Sequence, residues 1–146
     1  MNKFMKKKND NKGFTLVEVI VVLVILAILA AVSIPALTGF INESNKKAYV
    51  AEARTAYVAC QAYTTEAMKV EKKTNTAIQT EFANKAVGSA TGCPTKFNNY
   101  MEGSYTTGAT VDSITVGTDG KVTKFVYKPD TTTTVTITPG SGTVVS

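Results

Sequence analysis

The pattern of apolar and polar residues divides the chain near its start. After a short polar and basic run, residues 14–37 (FTLVEVIVVLVILAILAAVSIPAL) are apolar or neutral except for Glu18. At about 1.5 Å per residue, a helix of this length reaches about 36 Å and exceeds a bilayer core of roughly 30 Å. The pattern therefore predicts a membrane-spanning helix.

Residues 38–70 keep a helical spacing but become amphipathic. Apolar or small residues recur every three or four positions, which predicts one buried face. These residues are Ile41, Ala48, Val50, Ala53, Ala56, Tyr57, Cys60, Tyr63, Ala67 and Val70. The sequence therefore predicts one long helix, whose first half is apolar all round and whose second half packs on the C-terminal part of the chain.

A second, short helix is predicted over residues 77–87. Thr76 and Gln79 have the spacing of a capping box, and Gly88 is placed to end the helix. Residues 89–108 are rich in Gly and Asn, which predicts a loop. The buried stripe of this helix would consist of Ile78, Phe82 and Ala86.

The last third of the chain is typical of strands. Residues 111–116 and 122–127 are rich in β-branched residues, and Gly117-Thr118-Asp119-Gly120 between them predicts a tight hairpin. Residues 132–138 alternate Thr with Val135 and Ile137 and predict a third strand, which residues 139–142 end. The predicted fold class is α+β, with the long helix on a small antiparallel sheet of three to four strands.

Charge supports this division of the chain. The net charge is +5, of which residues 1–13 carry +4 through five lysines and one aspartate. The remaining residues are nearly neutral. A basic segment ahead of an apolar helix is typical of membrane targeting with the lysines on the cytoplasmic side. Lys69, Lys72 and Lys73 near Tyr63 form the densest remaining basic patch, which we interpret as a solvated surface rather than a DNA-binding site.

The apolar helix allows three interpretations. A secretory signal peptide would have an apolar core of about 7–15 residues, which is shorter than this segment. A plain membrane anchor explains the length but gives no role to Glu18. An unpaired carboxylate in an apolar helix costs several kcal/mol. Glu18 therefore lies near enough to the headgroups to be solvated, or it receives a cationic partner during assembly.

The segment Lys12-Gly13-Phe14-Thr15-Leu16-Val17-Glu18, between a basic leader and an unbroken apolar helix, resembles the leader-cleavage motif of type IV prepilins. The resemblance covers residues 1–37, about a quarter of the chain, and the rest is similar to such proteins in layout only. It implies three parts: a cleaved leader (1–13), a transmembrane or filament-core helix (14–37), and an extracellular head domain (38–146).

The resemblance also implies roles for individual residues. A prepilin peptidase in the membrane would cut after Gly13 and N-methylate Phe14. Glu18 would pair with the amino group of a neighbouring subunit's first residue and so set the register. Partners would be other copies of the chain, minor pilins, the peptidase and inner assembly platform proteins. The chain would be a single-pass membrane precursor and then part of a surface pilus serving adhesion, twitching motility or biofilm formation.

Several alternatives stay open on the sequence. A type II secretion pseudopilin, a competence-pilus subunit or a minor pilin would share this N-terminus, and a membrane-anchored extracellular binding module would not require cleavage or Glu18.

Pro35 removes a helical hydrogen bond and, with Gly39, predicts a kink. Cys60 and Cys93 allow one disulfide outside the cytoplasm, the alternative being two free thiols.

No enzyme chemistry is indicated. The chain has no histidine, which removes the usual activation of a Ser or Cys nucleophile. Its acidic residues lack the spacing of a calcium loop, and two cysteines without histidine do not complete a zinc site. We therefore expect no catalytic residues, no cofactor and no metal.

Overall fold

The computed structural model describes residues 13–146, so the leader lysines lie outside the described residues. The chain divides into two compact units, Met1–Asn42 and Glu43–Ser146. The boundary falls within the first helix, α1 (Leu16–Lys69), whose two parts are considered separately below.

In the first unit, α1 is exposed on all sides. Every large apolar side chain between Phe14 and Ile41 is at least 46% exposed. Pro35 lies inside the helix, which is nevertheless continuous through Pro35 and Gly39. The Thr38 hydroxyl donates to the Pro35 carbonyl at 2.9 Å. The predicted helix is confirmed, whereas a kink at Pro35 and Gly39 stays a prediction.

In the second unit, one face of α1 is buried. Its buried residues are Ala53, Ala56, Ala59, Cys60, Tyr63, Thr64 and Ala67. Five of these follow the predicted spacing, while Ala59 and Thr64 extend the face. Ile41, Ala48 and Val70, predicted to be buried, are exposed. Because most of the buried side chains are small, the helix can lie close against the structure that it covers.

The second helix, α2 (Asn75–Phe82), begins earlier and ends earlier than predicted. Its N-cap is Thr74, whose hydroxyl oxygen accepts from the Ala77 amide at 3.2 Å, so the predicted Thr76–Gln79 capping box is wrong. Ile78 and Phe82 are buried as predicted. Ala86 is only half-buried, because the chain leaves the helix and forms strand β1 (Lys85–Ala86).

Gly88 does not end a helix. It has a φ of +73°, and a side chain added there would meet the Tyr105 hydroxyl, so the glycine allows a tight turn beside Tyr105. The predicted loop over residues 89–108 contains a further helix, α3 (Thr95–Met101). Phe97 and Met101 bury this helix against the core. In the sequence, Phe97 and Met101 form an apolar pattern of only two residues, which is too short to predict a helix.

The sheet has five antiparallel strands in the order β1-β2-β3-β4-β5. Strands β2 (Thr110–Val116) and β3 (Val122–Lys128) confirm the predicted hairpin, with Gly117 N–H donating to the Lys121 carbonyl at 2.8 Å. The third predicted strand is shorter, β4 (Val135–Thr138). The residues after it form β5 (Gly142–Val145), and β1 pairs at the other edge. The fold class is confirmed, with five strands where three to four were predicted.

Aromatic packing and one glutamine join α1 to the rest of this unit. Phe82 packs edge-on against Tyr63 and Phe97, with ring centroids 5.5 and 5.1 Å away. The Gln61 side chain donates to the Gly120 carbonyl at 2.9 Å and accepts from the Val122 amide at 2.8 Å. It therefore attaches the β2–β3 hairpin to the helix and satisfies backbone groups where the turn meets it.

The position of the α2 cap can be tested by two matched substitutions. We expect Thr74→Ala to lower the free energy of unfolding by about 1 kcal/mol, because the Ala77 amide loses its acceptor. Thr76→Ala should lower it by only a few tenths, because the Thr76 side chain caps nothing. Chemical unfolding of the full chain in detergent, followed by circular dichroism, measures both values. Equal losses would contradict the assigned cap.

Asp130 organises the turn before β4. Its carboxylate accepts from the amides of Thr132 and Thr133 at 2.8 and 2.6 Å. These bonds, with a further one from the Thr132 hydroxyl, lower the pKa of Asp130 to about 2. Because the folded pKa lies below the unfolded one, the stabilisation is present above about 3.8 and is lost as the pH falls towards about 2.

We therefore expect Asp130→Asn to flatten the acid limb of the stability profile. The melting temperature of the unmodified chain should fall more steeply than that of Asp130→Asn as the pH drops from about 3.8 to about 2. Glu102→Gln is the matched control, because within residues 13–146 Glu102 makes no hydrogen bond or ion pair. Parallel curves for the unmodified chain and Asp130→Asn would refute the role of the Asp130 charge.

Candidate functional site

The predicted cleavage site lies in an open, non-helical segment. Gly13 precedes the first helical residue by three positions, and Phe14 is 87% exposed. A side chain added at Gly13 would meet nothing within 4 Å. The described residues therefore give no packing reason for a glycine here.

Glu18 lies in the first turn of α1 and caps it. Its carboxylate accepts from the amide and hydroxyl of Thr15 at 2.8 and 2.9 Å, and the Glu18 amide donates to the Thr15 hydroxyl oxygen at 3.3 Å. This reciprocal pattern is a capping box with Thr15 as the N-cap. The negative charge also interacts favourably with the N-terminal end of the helix dipole.

The capping role of Thr15 was missed by the sequence interpretation. The signal was present, because Thr15 and Glu18 have the spacing of a capping box directly before an apolar run. The cap fixes the position of the Glu18 carboxylate, which is bonded to Thr15, the residue directly after Phe14. The Phe14 nitrogen would become the new terminal amine after cleavage at Gly13.

Helix α1, which contains Glu18 in its first turn, is long and apolar enough to cross a membrane. Its most apolar 18-residue window has a mean hydropathy of 3.1 and is not buried within the structure. These properties are compatible with a single-pass anchor. They also mean that a large apolar surface of this chain has no protein cover of its own.

The N-terminal region matches the family model described as the prokaryotic N-terminal methylation motif, over residues 8–34. This motif is the class III signal of type IV pilins. It is the signal that a prepilin peptidase processes in pilin-like proteins. No curated protein and no solved structure matches the chain.

Cys60 and Cys93 are both free in the structure and both buried in the same core. Burial raises the pKa of each thiol to about 12, so neither is a reactive thiolate near neutral pH. Cys60 lies on the buried face of α1, as predicted, and Cys93 precedes α3. A disulfide between them stays a prediction.

The disulfide can be tested on the full chain recovered from cells. If it forms, the protein unfolded without reductant will not react with a thiol reagent, and reductant will expose two reactive thiols. Mass spectrometry counts the labels. Two labels without reductant would show that both thiols are free, as they are in the structure.

In the basic patch of the sequence, Lys73 is paired with acidic neighbours, whereas Lys69 and Lys72 make no ion pair within the described residues. The Lys73 ammonium lies 2.8 Å from the Glu81 carboxylate and 3.0 Å from that of Glu71. It also donates to the Tyr63 hydroxyl at 3.0 Å. These bonds raise the pKa of Lys73, which holds α1, α2 and the segment between them together. A paired lysine contributes little to binding a polyanion.

The part of the chain that the structure describes contains no group of three or more His, Cys, Asp or Glu able to hold a metal.

Glu52 is a further polar centre that no sequence motif indicates. Its carboxylate accepts from the Thr106 amide at 2.7 Å and from the Tyr127 hydroxyl. Burial raises the pKa of Tyr127, and the hydrogen bond to Glu52 raises it further. Glu52 is therefore a structural tie between α1, the loop before β2 and strand β3.

Proposed function

We propose that this chain, with its N-terminal methylation motif of pilin-like proteins, is the structural subunit of a type IV pilus. In this proposal it is cleaved after Gly13, methylated at Phe14 and polymerised through its N-terminal helix. Adhesion, twitching motility or biofilm formation would be the task of the filament. The chain would be a structural protein and not an enzyme.

The observation that carries the proposal is the combination of the motif over residues 8–34 with an acid inside an otherwise apolar helix. A plain anchor needs the apolar residues but not the acid, whose burial without a partner costs several kcal/mol. The exposed, non-helical Gly13 and Phe14 are accessible to a peptidase. Together these features support processing followed by assembly.

The proposed mechanism has three stages. The precursor waits in the membrane, where lipid covers the apolar part of α1. Cleavage then creates a positive amine at Phe14, a few residues from a Glu18 carboxylate already held by Thr15. In the filament, the apolar helices cover one another, and Glu18 pairs with the amine of a neighbouring copy, which sets their register.

Rival assignments share the processed N-terminus. A pseudopilin or a competence-pilus subunit would also be cleaved and assembled. The five-stranded sheet and its Thr-rich strands favour a pilus only weakly. A membrane-anchored binding module is a different class, because it would keep Met1 and would not form filaments.

The first test is the mass and N-terminal sequence of the chain in a sheared cell-surface fraction. We expect a chain that begins at N-methylated Phe14 and is released by shearing. A chain that begins at Met1 would indicate an ordinary anchor. One that begins after Ser33 would indicate an ordinary secreted protein, and either result would refute the proposal.

The second test separates the two roles of Glu18. Glu18→Gln keeps an acceptor for the Thr15 amide but removes the charge, whereas Glu18→Ala removes both. If the charge pairs with a neighbour's amine, both variants should lower sheared filaments at least about 100-fold, because an unpaired buried charge costs about 3–5 kcal/mol. Immunoblots of sheared and membrane fractions measure assembly and processing together.

Both variants should still be cleaved, since Glu18 lies five residues beyond the cut. Thr15→Val is the matched control, because it removes the hydroxyl of the cap but keeps the charge of Glu18. Normal filaments from Glu18→Gln, with loss only in Glu18→Ala, would show that Glu18 acts as a helix cap alone.

A further inference from the structure

The two edges of the five-stranded sheet differ in how they are protected from pairing with a further strand. Strand β1, at one edge, is only two residues long and includes Lys85, and short length and charge are usual protections of a sheet edge. Strand β5, at the other edge, is longer and has no charged residue. Residues 131–146 contain no ionisable side chain at all. The β5 edge therefore lacks the charges that usually prevent strand pairing.

The register of β5 on β4 shows which backbone groups of β5 stay unpaired. The Ser146 amide donates to the Thr134 carbonyl at 2.9 Å, and the Thr134 amide donates to the Ser146 carbonyl at 2.7 Å. Because bonded and non-bonded pairs alternate in antiparallel strands, the backbone N–H and C=O of Thr143 and Val145 point away from β4. Within residues 13–146, no hydrogen bond from another segment reaches these groups.

Val144 lies between these two residues, and its side chain is 64% exposed. It is the only exposed large apolar side chain in the strands that the structure describes. It pairs with Thr136 and faces away from the core, whereas Thr143 and Val145 are on the other face and are half-buried. A further strand paired with β5 would cover the Val144 side chain and bond the free backbone groups together.

We propose that β5 pairs with β5 of a second copy of this chain, antiparallel and about a two-fold axis at Val144. In this register, Thr143 of each copy lies opposite Val145 of the other, and each of these pairs exchanges two hydrogen bonds. The two Val144 residues form the non-hydrogen-bonded pair between them. Their Cα atoms lie about 4.5 Å apart, so the two side chains pack together.

The absence of charge is what selects a second copy as the partner. Identical residues meet near a two-fold axis, so a charged side chain at this edge would meet its like, which destabilises strand pairing. Residues 131–146 carry no such side chain. The edge also presents donors and acceptors in equal number, which a second β5 in this register satisfies completely.

This pairing joins copies that belong to different filaments. The two-fold axis reverses the direction of β5 in the second copy, whereas copies related by a helical operation all keep one direction. In the proposed function, the β5 pair would therefore link neighbouring filaments side by side. Only this consequence rests on the proposed function, because the strand pairing itself requires no filament.

Disulfide cross-linking of the full chain, extracted from membranes in detergent, tests the register. Val144→Cys should form a linked dimer on mild oxidation, because a Cα separation of about 4.5 Å is within disulfide range. Thr115→Cys is the matched control, since Thr115 is exposed on the same face of the sheet but lies on β2, and it should give at least about tenfold less dimer. The native cysteines are buried and should not interfere. Equal yields would overturn the proposal, as would be the case for a partner other than a copy.

A proline tests whether the contact is made by the backbone. In the Val144→Cys chain, Thr143→Pro removes an N–H that points away from β4, so it should leave the β4 ladder intact but lower the dimer yield about tenfold. Thr143→Val keeps the N–H and should leave the yield unchanged. Melting followed by circular dichroism shows whether both variants stay folded. Equal yields from folded Thr143→Pro and Thr143→Val chains would refute strand pairing.

The consequence for filaments has a separate readout. Val144→Lys places like charges at the axis, so sheared filaments should be as abundant as before but appear singly rather than in bundles in electron micrographs. Thr115→Lys adds the same charge to the same face and should leave bundles intact. Bundles that persist in Val144→Lys would refute the link between filaments. If the unmodified chain yields no sheared filaments, the proposed function fails, while the cross-link in detergent still decides the strand pairing.

Discussion

One constraint underlies the properties of this chain: the apolar surface of α1 between Phe14 and Ile41 has no cover within the first unit. A surface of this kind is unstable in water and has to be covered by lipid or by other protein. In the proposed function, a membrane-borne precursor would meet this requirement first, and a bundle of such helices would meet it later. In the same proposal, Glu18 would fix the register of neighbouring helices, because an apolar surface alone leaves their register undefined.

In the second unit, the C-terminal part of the same helix packs against a folded core. From Ala53 to Ala67, mostly small side chains let α1 lie against the core, and polar side chains on the same helix add hydrogen bonds to the sheet and loops. Gln61 holds the β2–β3 hairpin, while Glu52 reaches Thr106 and Tyr127. Because these hydrogen bonds join segments far apart in sequence, they help to stabilise a small domain that has no large core.

Much of this structure could be predicted because local patterns coincide with the final contacts. The β2–β3 hairpin follows from two β-rich runs separated by a Gly-containing turn. Strand β5 did not follow, because Gly142–Val145 has little local signal and forms only by pairing with β4. The start of α2 was misplaced by two residues, because both Thr74 and Thr76 are good caps and the fold selects the first.

The candidate site divides in the same way. The sequence by itself determined the leader motif, the apolar helix and the acid within it, since each depends only on neighbouring residues. Even the Thr15–Glu18 cap is local and could have been recognised from its spacing. Only the tertiary structure decided that the Tyr127 hydroxyl meets Glu52, and that Val58 and Tyr100 share one exposed face. Such relations join residues distant in sequence, and no local pattern encodes which of them meet when the chain folds.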